Sequence, residues 1–438
     1  MVRPRPLPKV CRQVQNDSTA IPEPPSSPRI ELLRRRTTAV FLGGVGLGSI
    51  GLIAAIVVST LVAEEISQAA TWSGVPSAMS ILGTAVGTTL LAEIMQRWGR
   101  RNGLVCSYSV AALGAAVAII AVLAESLPVL IAAMFIIGLG RSGDALSRYL
   151  VADLYPVGRR ASAIGWMVWV GTIGAVLGPN SLDPAGRLAS HLGLPSLSGA
   201  FLVTLGAYGL VALLYVILLR PDPSTLVYRE SQTEESSDRA RLSDLFRPHG
   251  VRIALAVLVV GHMVMVLIMT MTPLNLKLAG HGLGAIGFVM SAHIVGMFVF
   301  SPLTGRLVDR WGRVPVIVLG QITLLVAVVS AVLAPAAEIG LVALALFLLG
   351  LGWNLGFVAG SALLSSGLDL RHRARLQGIT DSMIWSSAAL ASATSGLVLG
   401  TFGYDALCLV GAVLLVIPAA VILQHRRSLV HSSPVATP

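Results

Sequence analysis

The chain has 438 residues, of which 55% are hydrophobic and only 12% are charged, and its formal net charge is +10. A soluble globular protein has about 25% charged residues, so this composition excludes an ordinary soluble fold. Apolar stretches of about 20 residues, the length that crosses a bilayer core, recur along the whole chain. The sequence therefore predicts an all-α integral membrane protein.

Twelve transmembrane helices, numbered spans 1 to 12, are predicted from the apolar stretches between charge clusters. Their limits lie near residues 38–62, 69–92, 103–124, 127–150, 160–180, 198–219, 251–273, 284–305, 314–334, 338–366, 378–401 and 405–424. A polar segment of mixed charge, residues 220–250, is interpreted as a linker between two six-helix bundles, residues 37–219 and 251–424. Residues 1–36, rich in proline and arginine, are predicted to be a disordered tail, and residues 425–438 a second tail.

Positive charge is distributed unevenly along this pattern. With the N-terminus in the cytoplasm, all but four of the 31 lysine and arginine residues fall in the tails, the linker and the cytoplasmic loops. The exceptions are Arg187 and Lys277 on the opposite side, and Arg141 and Arg148 inside span 4. Because positive residues accumulate in cytoplasmic loops, both termini are predicted to be cytoplasmic. The preference for arginine over lysine indicates a GC-rich bacterial genome, and hence the bacterial cytoplasmic membrane.

Two sequence repeats relate the halves of the chain. The tetrapeptide Arg-Trp-Gly-Arg occurs at residues 97–100 and 310–313, in the short charged gaps after spans 2 and 8. The pattern Phe-x-x-Gly-Leu-Gly begins at Phe135 and again at Phe347, with nearly the same offset. Related halves in one membrane chain are typical of secondary transporters. The repeats therefore predict two pseudo-symmetric bundles with a cavity between them.

The second tetrapeptide belongs to a longer motif. The segment from Gly305 through Asp309 and Arg310 to Gly312 and Arg313 resembles the Gly-x-x-x-Asp-Arg-x-Gly-Arg loop of the major facilitator superfamily (MFS). The resemblance implies the MFS fold and a cytoplasmic gating latch. In that latch the aspartate caps a helix N-terminus, and the arginines reach a carboxylate at the end of span 4.

The first copy of this loop departs from the family pattern. Ala92 and Gln96 stand at the positions of its glycine and aspartate, so the resemblance implies a weaker latch in the first half. Asp153 stands where the family has its span-4 carboxylate, and it is a candidate partner for Arg97 or Arg100. The first-half gating candidates are Arg97, Gly99, Arg100 and Asp153.

Span 5 carries a second motif, with Gly165, Gly174 and the pair Gly178-Pro179. It resembles the glycine-rich span-5 motif of the drug:proton antiporter branch of the superfamily, although Leu182 and Asp183 stand where that motif ends in small residues. Missing side chains followed by a proline bend create a groove against which a neighbouring helix can pivot. The resemblance implies export.

Three charged residues of span 4 share one helical face, because Arg141, Asp144 and Arg148 are spaced three and four residues apart. An ionisable side chain at membrane depth costs about 2.5–3.5 kcal/mol, so this face is expected to meet the cavity or another helix. We hypothesise that Asp144 is a protonation site coupled to Arg141, because burial disfavours a charged carboxylate and a guanidinium favours it. The alternative is a static ion pair that supports span 4.

Other candidates for proton coupling or the cavity lie in the second half. They are Asp381 in span 11, His262 in span 7, His293 in span 8, and Trp353 and Asn354 in span 10. Histidine titrates near neutral pH, and a tryptophan face binds flat or cationic compounds. Each has a structural alternative: a boundary role for the aspartate, hydrogen-bonded packing for the histidines, and core packing for the tryptophan.

The sequence contains no phosphate-binding loop, nucleophile elbow or metal-ligand cluster, so neither an enzyme nor a cofactor or metal site is predicted. The predicted function is proton-coupled export of a small molecule by alternating access. Because span 1 has no carboxylate in its core, metabolite uptake by symport or facilitated diffusion stays open, as does a non-transporting sensor or scaffold. The expected partners are a small-molecule substrate, protons and the lipid bilayer, without nucleic acid, and the chain is expected to be a monomer.

Overall fold

The computed structural model describes residues 28–155, 157–226, 246, 248–364 and 370–430, and every regular element within these ranges is a helix. Eleven of the described helices are long and apolar enough to cross a membrane. The last of them, residues 376–424, contains two predicted spans, which are separated at Gly403 by a non-helical φ of 83°. The predicted all-α membrane fold is therefore confirmed.

The observed helices follow the predicted order. Spans 1 to 6 are Pro28–Ser67, Val75–Trp98, Arg100–Leu123, Leu127–Ala152, Val157–Asn180 and Ser198–Leu218. Spans 7 to 10 are His249–Leu278, Leu283–Phe298 with its continuation Ser301–Trp311, Arg313–Leu333 and Ile339–Leu364. Span 11 covers residues 370–402, and span 12 covers residues 404–414 and the helix Val416–Val430. Short helices at Ala70–Trp72, Leu182–His191 and Pro223–Leu226 connect spans.

Helix limits differ from the predicted ones mainly where helices extend beyond the apolar core. Span 1 begins at Pro28, so residues 28–36, placed in the tail by sequence, are helical. Charged residues of good helix propensity can continue a helix into water, and Arg35 Nε donates to Glu31 Oε1 one turn earlier at 3.0 Å. Span 12 likewise continues to Val430. Residues 1–27, 431–438 and most of the linker (227–245 and 247) lie outside the described residues.

The repeated tetrapeptide forms the same turn in both halves. Gly99 has φ 85° and ψ 159°, and Gly312 has φ 86° and ψ 167°. This region of backbone space is accessible essentially to glycine alone. In each copy the glycine ends one span and the following arginine begins the next. The sequence repeat is therefore also a structural repeat.

The chain reverses direction at Gly403. Just after it, the hydroxyl groups of Tyr404 and Thr272 in span 7 are hydrogen-bonded at 2.9 Å. Further along, a Cβ atom at Gly411 would lie 3.3 Å from the side chain of Val264, two turns earlier in span 7. Spans 7 and 12 are therefore antiparallel neighbours, as the twelve-span prediction requires.

The two ends of the bundle differ in how the halves meet. The linker end holds the starts of spans 1 and 7 and the ends of spans 6 and 12. The closed end holds residues 64–74, 176–186, 277–291 and 392–400. There Ser392 Oγ donates to the Gly74 carbonyl at 3.0 Å, and Asn180 Nδ2 donates to Ser291 Oγ at 2.7 Å. Among pairs of described residues, the hydrogen bonds and ion pairs between the halves all lie at the closed end.

Candidate functional site

Asp144 lies in the membrane-spanning part of span 4 and faces spans 1 and 3. The Tyr108 hydroxyl in span 3 donates a hydrogen bond to Asp144 Oδ1 at 2.6 Å. On the opposite side, a Cβ atom at Gly48 in span 1 would lie 2.9 Å from the same oxygen. The carboxyl group therefore occupies space that span 1 leaves open by having no side chain at position 48.

Three buried tyrosines form the wall around this carboxyl group. Tyr108, Tyr208 and Tyr215 are fully buried. The Tyr108 ring centroid lies 5.2 Å from that of Tyr215 and 6.0 Å from that of Tyr208. A Cβ atom at Gly44 would lie 2.2 Å from the Tyr215 hydroxyl oxygen, so this hydroxyl also depends on a glycine of span 1. Sequence reasoning missed these tyrosines, because their spacing gives no sign that spans 3 and 6 converge on span 4.

Arg141 extends away from Asp144 toward the second half. Its guanidinium carbon lies 5.6 Å from the ring centroid of Trp385 in span 11. No carboxylate among the described residues lies within 4 Å of a nitrogen of this side chain, so the static pair of Arg141 with Asp144 is not formed. Arg148 and Asp381 are exposed, and neither makes an ion pair within the described part of the chain.

An aromatic cluster in the second half receives the Arg141 side chain. Trp353 Nε1 donates a hydrogen bond to His262 Nδ1 at 3.0 Å, so a neutral His262 carries its proton on Nε2. The His262 ring centroid lies 5.7 Å from the rings of both Trp353 and Trp385. Trp353 also stacks on Phe357 at 4.7 Å. Arg141, His262, Trp353 and Trp385 thus form one group across the two halves, called the central cluster below.

Asn354, predicted to lie in the cavity, instead bridges the interruption in span 8. Its Nδ2 atom donates to the Met297 carbonyl at 2.6 Å and to Ser301 Oγ at 2.7 Å. Thr304 Oγ1 donates to Asn354 Oδ1 at 2.6 Å. A helix that breaks leaves backbone carbonyls without helical partners, and this amide satisfies one of them. Asn354 therefore holds spans 8 and 10 together rather than facing the cavity.

His293 also packs inside the second bundle. It is fully buried, and its Nδ1–H donates to the Leu346 carbonyl of span 10 at 2.8 Å. Of the two sequence candidates among the histidines, only His262 reaches the central cluster. The difference arises because the Trp353 and Trp385 rings lie next to His262. These tryptophans belong to spans 10 and 11, so sequence spacing gives no sign of their contact with span 7.

The first-half gate contains one predicted ion pair and one unpredicted cap. Arg100 Nη2 lies 2.9 Å from Asp153 Oδ2, as proposed for one of the two candidate arginines. Arg97 instead pairs with Glu93, one turn earlier on its own helix. The N-terminus of span 3 receives its carboxylate from Asp222, which follows span 6.

The described residues include only part of the second-half gate. Asp309, Arg310 and Arg313 are exposed, and they make no ion pair with another described residue. Residues 365–369, which follow span 10 where the latch partner is expected, lie outside the described residues. A Cβ atom at Gly305 would meet no atom within 4 Å, so packing does not require glycine there. The latch role of this loop stays a prediction.

The glycine motif of span 5 packs against span 1. A Cβ atom at Gly174 would lie 2.1 Å from the Gly46 carbonyl oxygen, and one at Gly178 would lie 2.8 Å from that of Ile50. The Pro179 carbonyl then meets span 8, 2.3 Å from a Cβ atom placed at Gly287. Gly165, in contrast, has open space around its Cβ position. The motif therefore joins spans 1, 5 and 8 toward the closed end.

The profile of the Major Facilitator Superfamily matches residues 37–284 and 276–436. The uncharacterised MFS-type transporter YdeG of Bacillus subtilis (strain 168) is 37% identical over 395 residues, which are 89% of this chain and 92% of that protein. The riboflavin transporter RfnT of Brucella anthropi is 25% identical over 373 residues, which are 85% of this chain and 91% of that protein.

A solved structure shows the same fold at low identity. A bacterial homologue of the human lysosomal transporter Spinster, crystallised in an inward-facing, unoccupied conformation, aligns with a TM-score of 0.69 and 16% sequence identity. The alignment covers 94% of this chain and all of the other. The similarity supports the arrangement of two six-helix bundles.

Proposed function

Because the chain belongs to the Major Facilitator Superfamily and is a multi-pass membrane transport protein, we propose that it exports a small molecule in exchange for protons by alternating access. The observation that carries the proposal is the carboxyl group of Asp144, which lies inside the first bundle with the Tyr108 hydroxyl at 2.6 Å. A charged carboxylate at this depth is costly. Binding and release of a proton at Asp144 would therefore drive the change between the two access states.

The position of Arg141 supplies a means of coupling. Arg141 and Asp144 lie one turn apart on span 4, yet the guanidinium contacts Trp385 of the other half. Alternating access moves the halves relative to each other, and this motion changes the distance between Arg141 and Trp385. A guanidinium released from Trp385 can approach Asp144 and alter its affinity for a proton. The other titratable or charged groups near the carboxyl are Tyr108, Tyr208 and Tyr215, together with Arg148, one turn further along span 4.

The membrane orientation of the proposal follows from the charge distribution. The linker end carries the arginine-rich loops and is assigned to the cytoplasm. In this orientation the closed end, where Ser392 bonds to Gly74 and Asn180 to Ser291, lies at the periplasmic side. The resemblance of the span-5 glycine motif to that of the drug:proton antiporter branch supports export.

The test needs a transported compound and vesicles of known orientation. A ligand-stabilisation screen of purified protein identifies the compound, and riboflavin belongs in the screen because RfnT is named for it. Flux is then measured with and without an imposed pH gradient. Wild-type protein is expected to concentrate the compound only when the gradient is present.

The variant Asp144→Asn separates coupling from binding. It is expected to retain counterflow, which needs only alternating access, and to lose flux driven by the pH gradient. Asp183→Asn is the matched control, because Asp183 lies in a short helix at the closed end, paired with Arg187, and its removal should preserve coupling. Gradient-driven flux that is unchanged in Asp144→Asn would contradict the proposal. If Asp144→Asn does not fold, Tyr108→Phe, which removes the hydrogen bond, is expected to shift the pH dependence of flux.

The second candidate is uptake by symport. It is favoured by span 1, whose membrane core carries no carboxylate; Glu64 and Glu65 lie at its closed end. The direction of net flux in oriented vesicles decides between export and uptake. A non-transporting sensor predicts no flux of any compound that stabilises the protein.

A further inference from the structure

We propose that the central cluster is a binding site for a planar aromatic substrate that carries a negative charge. This inference rests on the proposed transport function and names the substrate class. It is carried by Arg141 together with the aromatic side chains of Trp385, His262 and Trp353, which come from three helices of the other half.

Arg141 supplies a positive charge without an anionic partner among the described residues. Its guanidinium is partly buried at membrane depth, and among the described residues it has no hydrogen-bond acceptor and no carboxylate within 4 Å. Its contact is the face of Trp385, at 5.6 Å. A cation–π contact leaves the N–H donors of a guanidinium unsatisfied, and their planar fork fits the two oxygens of a carboxylate or phosphate. The site therefore has an unused capacity for an anion.

The aromatic side chains of the central cluster form a wall of fixed shape. Trp353 is fixed on one side by its hydrogen bond to His262 and on another by stacking on Phe357 at 4.7 Å. His262 in turn packs edge-on against Trp385, with 75° between the ring planes. Trp385 remains 43% exposed. A rigid wall with one open ring favours a flat ligand that can stack.

The charges around the central cluster disfavour a cationic ligand. The nearest carboxyl group on span 4, Asp144, is directed to Tyr108 inside the first bundle. The central cluster thus presents one positive charge and no negative one. Asp381 lies one turn before Trp385 on span 11 and is exposed, but the exposed Arg148 of span 4 is close enough to interact with it and offsets its charge. An organic cation would meet Arg141 without a compensating carboxylate.

Four small probes test the site on the full chain in lipid nanodiscs at equilibrium, without a pH gradient. They are 2-naphthoate, which is flat and anionic, 2-naphthamide, which is flat and neutral, cyclohexanecarboxylate, which is anionic but not flat, and N-methylquinolinium, which is flat and cationic. Titration calorimetry is expected to show 2-naphthoate binding at least tenfold more tightly than each of the others. Tightest binding by N-methylquinolinium, or no measurable binding of 2-naphthoate, would overturn the proposal.

Variants assign the affinity to residues. Arg141→Gln is expected to weaken 2-naphthoate at least tenfold and to leave 2-naphthamide unchanged, whereas Arg141→Lys keeps part of the preference for the anion. Trp385→Leu is expected to weaken both naphthyl probes, and Trp385→Phe to weaken them less. Arg187→Gln, at the closed end, is the control and should bind like wild type. Equal affinity of 2-naphthoate for wild type and Arg141→Gln would reject the site.

The outcome is separable from that of the proposed function. Binding of 2-naphthoate that depends on Arg141, combined with flux that ignores the pH gradient, keeps the site and rejects proton coupling. Gradient-driven flux of a compound without affinity for the central cluster rejects the site and keeps the coupling. Thermal unfolding curves of each variant show whether a loss of binding reflects a loss of folded protein.

Discussion

Asp222, four residues beyond the end of span 6, accepts a hydrogen bond from the backbone amide of Arg101 at the start of span 3, with a nitrogen–oxygen distance of 2.9 Å. The Arg101 guanidinium donates to the Val216 carbonyl at 2.7 Å. These two contacts join the start of span 3 to the end of span 6. A carboxylate at a helix N-terminus satisfies an unpaired N–H group and meets the positive end of the helix dipole. The first half thus obtains a cap although its loop has Gln96 in place of aspartate.

Removal of this cap should destabilise the first bundle. Asp222→Ala is expected to lower the free energy of unfolding by about 0.5–2 kcal/mol, the usual effect of losing an N-cap. Asp222→Asn should cost less, because asparagine retains an acceptor oxygen. Denaturant unfolding in detergent measures the change. Glu93→Ala removes only an exposed pair with Arg97, and a loss there as large as for Asp222→Ala would contradict the cap.

Lys277 should hold the closed end together. Its Nζ atom lies 3.1 Å from a carboxylate oxygen of both Glu64 and Glu65, which belong to the other half. Exposed pairs contribute about 0.2–1 kcal/mol, so Lys277→Gln should shift the ratio of the two access states by up to about fivefold. Pulsed electron paramagnetic resonance between spin labels at Ser190 and Ala337 reports this opening. The distance distribution of Arg187→Gln should match that of wild type; a similar match for Lys277→Gln would count against the lock.

Gly174 and Gly165 should respond differently to the same substitution. Gly174→Ala places a methyl group 2.1 Å from the Gly46 carbonyl oxygen, and overpacking of this kind costs about 1–3 kcal/mol. Gly165→Ala meets no atom within 4 Å, and alanine favours a helix by about 1 kcal/mol over glycine. Relative to wild type, Gly174→Ala should therefore lower the temperature of thermal unfolding, and Gly165→Ala should raise it. Equal stability would mean that spans 1 and 5 are not in close contact.

Gly287 should report on closure between the halves. A methyl group there would lie 2.3 Å from the Pro179 carbonyl oxygen, whereas one at Gly284 would lie 3.8 Å from its nearest neighbour, Asp183. Gly287→Ala is expected to populate the state that is open at the closed end, and Gly284→Ala is expected to leave the populations unchanged. The label pair at Ser190 and Ala337 measures both. Identical distance distributions for the two variants would rule out a tight contact between spans 5 and 8.

The transmembrane fold could be predicted from the sequence because its determinants are local. An apolar stretch of about 20 residues signals a span without reference to any other part of the chain. The Arg-Trp-Gly-Arg repeat likewise predicted two related halves, and Gly99 and Gly312 share one backbone conformation. The predicted span limits were less accurate. Hydrogen bonds continue a helix beyond the membrane, and the hydropathy of the sequence does not reveal them.

The sequence also identified Arg141 and Asp144 as unusual, since charge at membrane depth is rare, and it placed them on one face of span 4. It could not determine where each side chain points. Gly48 leaves room for the carboxyl group, Tyr108 bonds to it, and Trp385 attracts the guanidinium to the other half. These neighbours lie tens to hundreds of residues away along the chain. Only the packing of the helices brings them together, so the tertiary structure alone decided that the two charges separate rather than pair.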